Sequence, residues 1–211
     1  MGHRLLQASW NPIRRSDAVD TSDVLFSGPP FDSLPPSALK AVRHRWLLKE
    51  WELGRASRIL PLRQYLDREE FNRYRGEFSV FDVCREEALR FLLRSHGTFI
   101  GKAYGSNCVG KYLDQIVPPE LHSQQIEPYR QAVRHRRPVY VSSDTRDTQG
   151  KPVQFERLLL PFSEDGTTVF CVVADFEMIS VEGHFSPADM LTAKNSAPSG
   201  RVAGFIAPPK R

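Results

Sequence analysis

Cysteine is scarce in this chain, and what there is does not pair. The only three, Cys84, Cys108 and Cys171, stand far apart, and no Cys-x-x-Cys occurs. An odd, scattered set fits no closed disulfide framework and reads as the usage of a reducing cytoplasm. No apolar stretch approaches the roughly 20 residues of a membrane-spanning helix, and residues 1–10 lack the apolar centre of a secretory leader. A cytoplasmic location without membrane insertion is therefore expected. Catalytic motifs are missing as well. There is no Gly-x-Ser-x-Gly, no glycine-rich phosphate loop and no His-Glu-x-x-His. Charge of one sign is not dominant, since 29 Lys and Arg stand against 25 Asp and Glu. The densest basic run, Arg134-His135-Arg136-Arg137, reads as a solvated helix end and not as a nucleic-acid face. Neither a metal site nor a nucleic-acid partner is expected.

Hydrophobic residues make up 40% of the chain and charged residues 26%, a globular composition able to bury a core. Prolines crowd the stretches before Leu39 and after Phe185. This spacing predicts a flexible N-terminal arm over 1–37, a folded domain over 38–180 and a flexible C-terminal tail over 181–211.

Within the domain, Ser37 is a candidate N-cap for a helix over Ala38–Leu53 that Gly54 ends. Its apolar residues form two stripes. Leu39, Val42, Trp46 and Leu53 make one, and Leu47, Leu48 and Trp51 the other. A surface helix needs only one, so the Leu47, Leu48 and Trp51 stripe is the candidate partner or dimer face. A short helix over Arg68–Tyr74 follows. Two strands, Phe78–Cys84 and Ala88–Arg94, come next. The glycine-punctuated stretch from Phe99 to Val117 holds brief helical turns. A helix from Pro118 to Arg137 should kink or break at Pro128. Strands over Val139–Ser143, Val153–Phe162 and Thr168–Met178 close the pattern. The last is apolar on both faces, as a central strand is.

This order resembles the PAS fold, and the residues resemble its fifth, alphaproteobacterial, family. The resemblance runs through Trp51 and Gly54-Arg55, the Pro61-x-Arg63 step, Val109-Gly110-Lys111-Tyr112-Leu113, and Glu156-Arg157-Leu158-Leu159-Leu160-Pro161-Phe162. The motif positions are Arg55, Pro61, Arg63 and Pro161. One departure is Asp67-Arg68-Glu69, where the family carries an acidic-Pro step. The resemblance implies an α+β fold: a five-stranded antiparallel sheet with helices on one face, plus an N-terminal flanking helix. It also implies a ligand space between sheet and helices. Phe81, Phe91, Phe99, Tyr104, Tyr112, Phe155, Phe170 and Val172 are its candidate lining, suited to a small apolar ligand. The alternative at those positions is ordinary core.

No cofactor is expected. His96, His122 and His135 are isolated candidates for a haem ligand, without a supporting motif. Gly105-Ser106-Asn107-Cys108 is similar to the Gly-x-Asn-Cys of light-sensing flavin domains, but Cys108 precedes Gly110 where the reactive cysteine of those domains follows the matching glycine. Two functions stay open. One is a regulatory PAS-like protein, not an enzyme and without its own output domain, that senses a ligand or contacts a signalling protein or a second copy. The other is a small cavity-containing α+β enzyme of isomerase or dehydratase type, for which Asp82 and Asp175 would supply inward-pointing carboxylates.

Overall fold

The computed structural model describes residues 31–104, 108–146, 152–179 and 200–207. Its strands are β1 (Asp32–Leu34), β2 (Ser79–Cys84), β3 (Arg90–Ser95), β4 (Val139–Arg146), β5 (Pro152–Ser163), β6 (Val169–Met178) and β7 (Gly200–Ile206). They form one sheet in the order β1-β7-β4-β5-β6-β2-β3. Every neighbouring pair is antiparallel except β1 with β7, so the sheet is mixed.

The expected five strands lie contiguously as β3-β2-β6-β5-β4, but the sheet formed by the described residues has seven. Residues assigned to the two arms supply the others. β7 runs along the outer edge of β4, satisfying backbone groups an edge strand would leave open, and β1 adds beyond it. Neither is conspicuous in sequence. β1 is three residues followed by prolines, and β7 carries Gly200, Ala203 and Gly204 among its seven. Gly204 is required, because a Cβ there would stand 2.4 Å from the Asp32 carbonyl oxygen.

The helices are α1 (Val42–Arg55), α2 (Glu69–Asn72), α3 (Thr98–Tyr104), α4 (Leu113–Ile116), α5 (His122–Gln125) and α6 (Glu127–His135). The helix expected from Pro118 to Arg137 is not continuous. A 3-10 turn over Pro119–Leu121, α5 and α6 share that span, and the last break falls at Ile126, two residues before Pro128. Proline has no N–H to give a preceding turn, and it is accommodated in the first turn of α6.

Alternation along the strands divides the sheet into two faces. Cross-strand partners put Phe81, Val172, Pro161, Ala174, Leu159, Phe176, Arg157, Val139 and Val141 on one face. Tyr129 of α6 packs on Phe81, and Phe99 of α3 on Phe176. The other face carries Glu156, Leu158, Leu160, Phe162, Asp175 and Tyr140. There α1 and α2 pack, with Phe71 edge-on to Phe162 and Phe78. Helices therefore cover both faces, and the expected single helical face is corrected on this point.

The stripe expected to meet a partner turns inward. Leu47, Leu48 and Trp51 are buried core residues, and the Trp51 indole N–H donates to the Pro161 carbonyl at 2.7 Å. The other stripe divides: Leu39 is buried, Trp46 is half-buried against Tyr74, while Val42 is 73% and Leu53 58% exposed. Both stripes are apolar enough to be buried, and only the sheet beneath α1 settles which one is.

Candidate functional site

Strand β5 places two charged neighbours on opposite faces of the sheet. Arg157 points toward α5 and α6, and Glu156 points toward α1. Both are buried, as is Asp175 on the adjacent strand.

On the inner face, the Arg157 guanidinium donates to the Gln125 carbonyl at 3.0 Å, to Gln125 Oε1 at 2.9 Å and to the Gln124 carbonyl at 3.2 Å. These carbonyls belong to the last turn of α5, where a positive charge is favourable. The same guanidinium lies over the rings of Tyr129 and Phe176, at 5.6 and 5.7 Å from their centroids. Phe81 and Phe91 contact Tyr129 at 5.1 and 5.3 Å, and Phe99 stacks on Phe176 at 5.4 Å. The space between sheet and helices thus holds an aromatic cluster with one cation at its centre.

The candidate lining sorts accordingly. Phe81, Phe91 and Val172 are buried on this face, and Phe99 joins them through Phe176. Phe155 belongs to the same face at the far end of β5, opposite Met178. Phe170 lies toward the β5–β6 turn with the Arg63 guanidinium above it at 5.5 Å. Tyr112 does not join them. It bridges to Leu92 at the β3 edge, stacks under Arg90 at 3.7 Å and has Cys84 at its hydroxyl. The Tyr104 side chain lies outside the described residues, as do Gly105, Ser106 and Asn107. The candidate lining read from the sequence left out Tyr129, Arg157 and Phe176. Strict alternation from Phe155 through Arg157 and Leu159 carried the signal for Arg157.

On the outer face, His44 of α1 stands between two carboxylates. Its Nδ1 is 3.2 Å from Glu156 Oε2, and its Nε2 is 3.2 Å from Asp175 Oδ2, a charge contact without hydrogen-bond alignment. Glu156 also accepts the backbone N–H groups of Lys40 and Ala41, at 2.8 and 2.9 Å, and the Tyr140 hydroxyl at 2.6 Å. It supplies from the sheet the N-terminal cap expected of Ser37, which instead lies in a 3-10 turn. Asp175 takes a two-point contact from Arg43, at 2.8 and 3.0 Å, and the geometry suits a guanidinium fork.

Burial alone would lower the His44 pKa, but the carboxylates at its two nitrogens outweigh that and raise it above 6.5. Burial alone would raise the Glu156 pKa; hydrogen bonds from His44, Tyr140, Ala41 and Lys40 hold it at about 2. Burial, and then the Glu156 carboxylate, raise the Tyr140 pKa.

The remaining candidates fall elsewhere. Asp82 and Asp175 occupy the outer face, not the interior. Asp82 pairs with Arg94 at 2.5 Å and Asp175 with Arg43. His122 Nε2 is 2.9 Å from the Val117 carbonyl, and the His135 ring lies tilted against Phe205 of β7, their centroids 4.6 Å apart. His96 abuts Gly101, where a Cβ would stand 2.6 Å from its Nδ1. Cys108 is buried. Among the described residues no group of three or more His, Cys, Asp or Glu is placed to hold a metal ion, and no helix is long and apolar enough to cross a membrane.

The motif positions are structural. The Pro61 carbonyl accepts the backbone N–H and hydroxyl of Ser163, at 2.9 and 3.1 Å, so the segment after α1 runs beside the end of β5. Pro161 receives Trp51, and Arg55 contacts Glu52 and the Trp51 ring. A family model described as PAS domain matches residues 39–173. The chain belongs to the PAS domain family. That membership assigns it a regulatory or sensory role in signal transduction, and the matched residues run from α1 through β5 into the first half of β6. No curated protein matches the chain.

Proposed function

We propose that this PAS domain is a regulatory module that converts a change in its interior into a change at α1, and acts there on another protein chain. The observation that supports this reading is the back-to-back pair on β5. Arg157 ties the inner face to α5 and the aromatic cluster, while its neighbour Glu156 caps α1 and holds His44. β6 repeats the arrangement, with Phe176 inward on Phe99 and Asp175 outward on Arg43 and His44. A small apolar ligand that displaced the aromatic cluster would move Arg157, and the rigid strand would carry that displacement to the cap of α1. The outer side of α1, with Val42 and Leu53 exposed, is the surface offered to a second copy or a signalling protein. The carboxylates weighed for a cavity enzyme are on the wrong face for one, which favours the non-enzymatic reading.

Hydrogen–deuterium exchange on Arg157→Gln tests the coupling. Faster exchange in residues 42–48 of α1, with the β2–β3 hairpin unchanged, is the expected result. Unchanged α1 exchange in a variant whose α5 and α6 amides have become faster would refute it. Val42→Lys with Leu53→Lys tests the surface. Light scattering on the pair should show a lower mass than wild type or loss of a captured partner, while a folded variant with wild-type assembly would exclude that face. Native mass spectrometry of the freshly purified protein would show any small molecule it carries.

A further inference from the structure

The buried charges between α1 and the sheet balance in one state of His44 only. Arg43 and His44 of α1 face Glu156 of β5 and Asp175 of β6. With His44 protonated, two cations meet two carboxylates. With His44 neutral, one cation remains for both. Around them stand Glu177 of β6, 3.1 Å from the Arg43 guanidinium, Glu77 ahead of β2, at 3.6 Å, and the Tyr140 hydroxyl of β4 on Glu156. None of these supplies a positive charge, and the Lys40 ammonium is turned to Gln154.

The imidazole makes that deficit local. Each ring nitrogen has a carboxylate oxygen at 3.2 Å, and His44 is wholly buried. A neutral ring carries one N–H. Nδ1 is aligned with Glu156, whereas Nε2 has no hydrogen-bond partner among the described residues, so the remaining proton belongs on Nδ1. The Nε2 lone pair then faces Asp175 Oδ2, two acceptors against each other without water. Such a buried contact is destabilising. It is relieved when α1 lifts from β6 and water enters. The Trp51 half of α1 is held separately, by the Pro161 carbonyl, which confines the release to the first turns of the helix.

We infer that His44 is a proton-operated latch: its imidazolium holds the N-terminal half of α1 on β5 and β6, and loss of that proton frees this half to move. The carboxylates raise the His44 pKa above 6.5 against the effect of burial, so the release belongs to the alkaline side. The latch is a second input to α1 and acts without Arg157 or the interior cluster. Only its use in signalling rests on the reading of α1 as the output, and its failure would leave the Arg157 coupling untouched.

Two measurements on the full chain test this from about pH 5 to about pH 9, a range that brackets the ordinary histidine value. NMR of the imidazole carbons, assigned through the His44 backbone, follows the charge of the ring. Hydrogen–deuterium exchange, corrected for the intrinsic pH dependence of amide exchange, follows α1. Opening of residues 42–48 is expected to increase as the imidazole loses its proton, by up to about tenfold per pH unit, the limit for a single proton. Residues 79–84 of β2 should keep their protection. The dependence should be absent in His44→Gln and retained in Glu177→Gln. An imidazole that titrates while α1 keeps its protection would overturn the latch, as would an imidazole whose charge is constant across the range. Both outcomes are read in the wild-type protein, whether or not a variant folds. The same pH dependence in a folded His44→Gln, or its loss in a folded Glu177→Gln, would overturn it as well.

Discussion

His44 is the residue on which the outer face turns. A neutral imidazole could satisfy one carboxylate by donating from one nitrogen, but the imidazolium serves both Glu156 and Asp175. Removing a partner from such a buried set leaves an uncompensated charge. Glu156→Gln, which also weakens the cap of α1, is expected to destabilise the fold by about 3 kcal/mol in urea denaturation. The same groups set a pH window. Glu156 has its folded pKa depressed from 4.5 to about 2, so its contribution is complete above pH 4.5 and fades as pH falls toward 2. His44 has its folded pKa raised above 6.5, so its contribution is complete below pH 6.5 and is lost as pH rises through that raised value. The cluster should stabilise most between pH 4.5 and 6.5. Urea midpoints across pH 4 to 9 should fall on the alkaline side in wild type and flatten there in His44→Gln. A parallel alkaline decline in both proteins would remove His44 as the cause.

Helix α1 and strand β5 carry the arrangement as elements. α1 has a modest apolar face and no side-chain cap of its own, and its stability comes from what the sheet provides: the Glu156 carboxylate at one end and the Pro161 carbonyl for Trp51 midway. Trp51→Phe keeps the ring volume largely in place and removes that hydrogen bond. It should cost about 1–3 kcal/mol, the penalty of an unpaired buried carbonyl, read as a lower urea midpoint. The junction between β3 and α3 is more brittle. A Cβ on Gly97 would stand 1.9 Å from the Glu77 carbonyl oxygen, and backbone cannot yield as a flexible side chain does. Gly97→Ala is expected to cost about 3 kcal/mol, whereas Gly76→Ala nearby, with nothing within 4 Å of its Cβ, should change stability little. Equal midpoints for the two variants would contradict this packing.

The molecule as a whole is a PAS sheet extended on one edge. β7 and β1 continue it beyond β4, and Phe205 of β7 contacts Phe31 and His135. The extension encloses an edge that would otherwise be free to pair with another chain. Gly204→Val should separate β1 from β7, since its side chain would meet the Asp32 carbonyl oxygen. The expected result is faster amide exchange in residues 32–34 and 202–206 with the β2–β3 pair protected as in wild type. Exchange unchanged in those two segments would show that the parallel pairing tolerates a side chain.

The five expected strands and the helix break just before Pro128 were legible because they depend on local chemistry: β-branched and aromatic alternation, turn residues, and a missing N–H. The motif around Pro61, Pro161 and Arg157 disclosed the family for the same reason. Three things depended instead on which distant segments meet. The choice between two apolar stripes on α1 follows from the sheet that lies beneath them. The cap of α1 comes from a residue 115 positions away, which no reading of Ser37 could foresee. The strands at the two ends of the chain have weak intrinsic preference and form because the β4 edge offers them hydrogen bonds. Local pattern predicts an element where the pattern itself stabilises it; burial of a carboxylate, or pairing at an edge, is a property of the assembled fold.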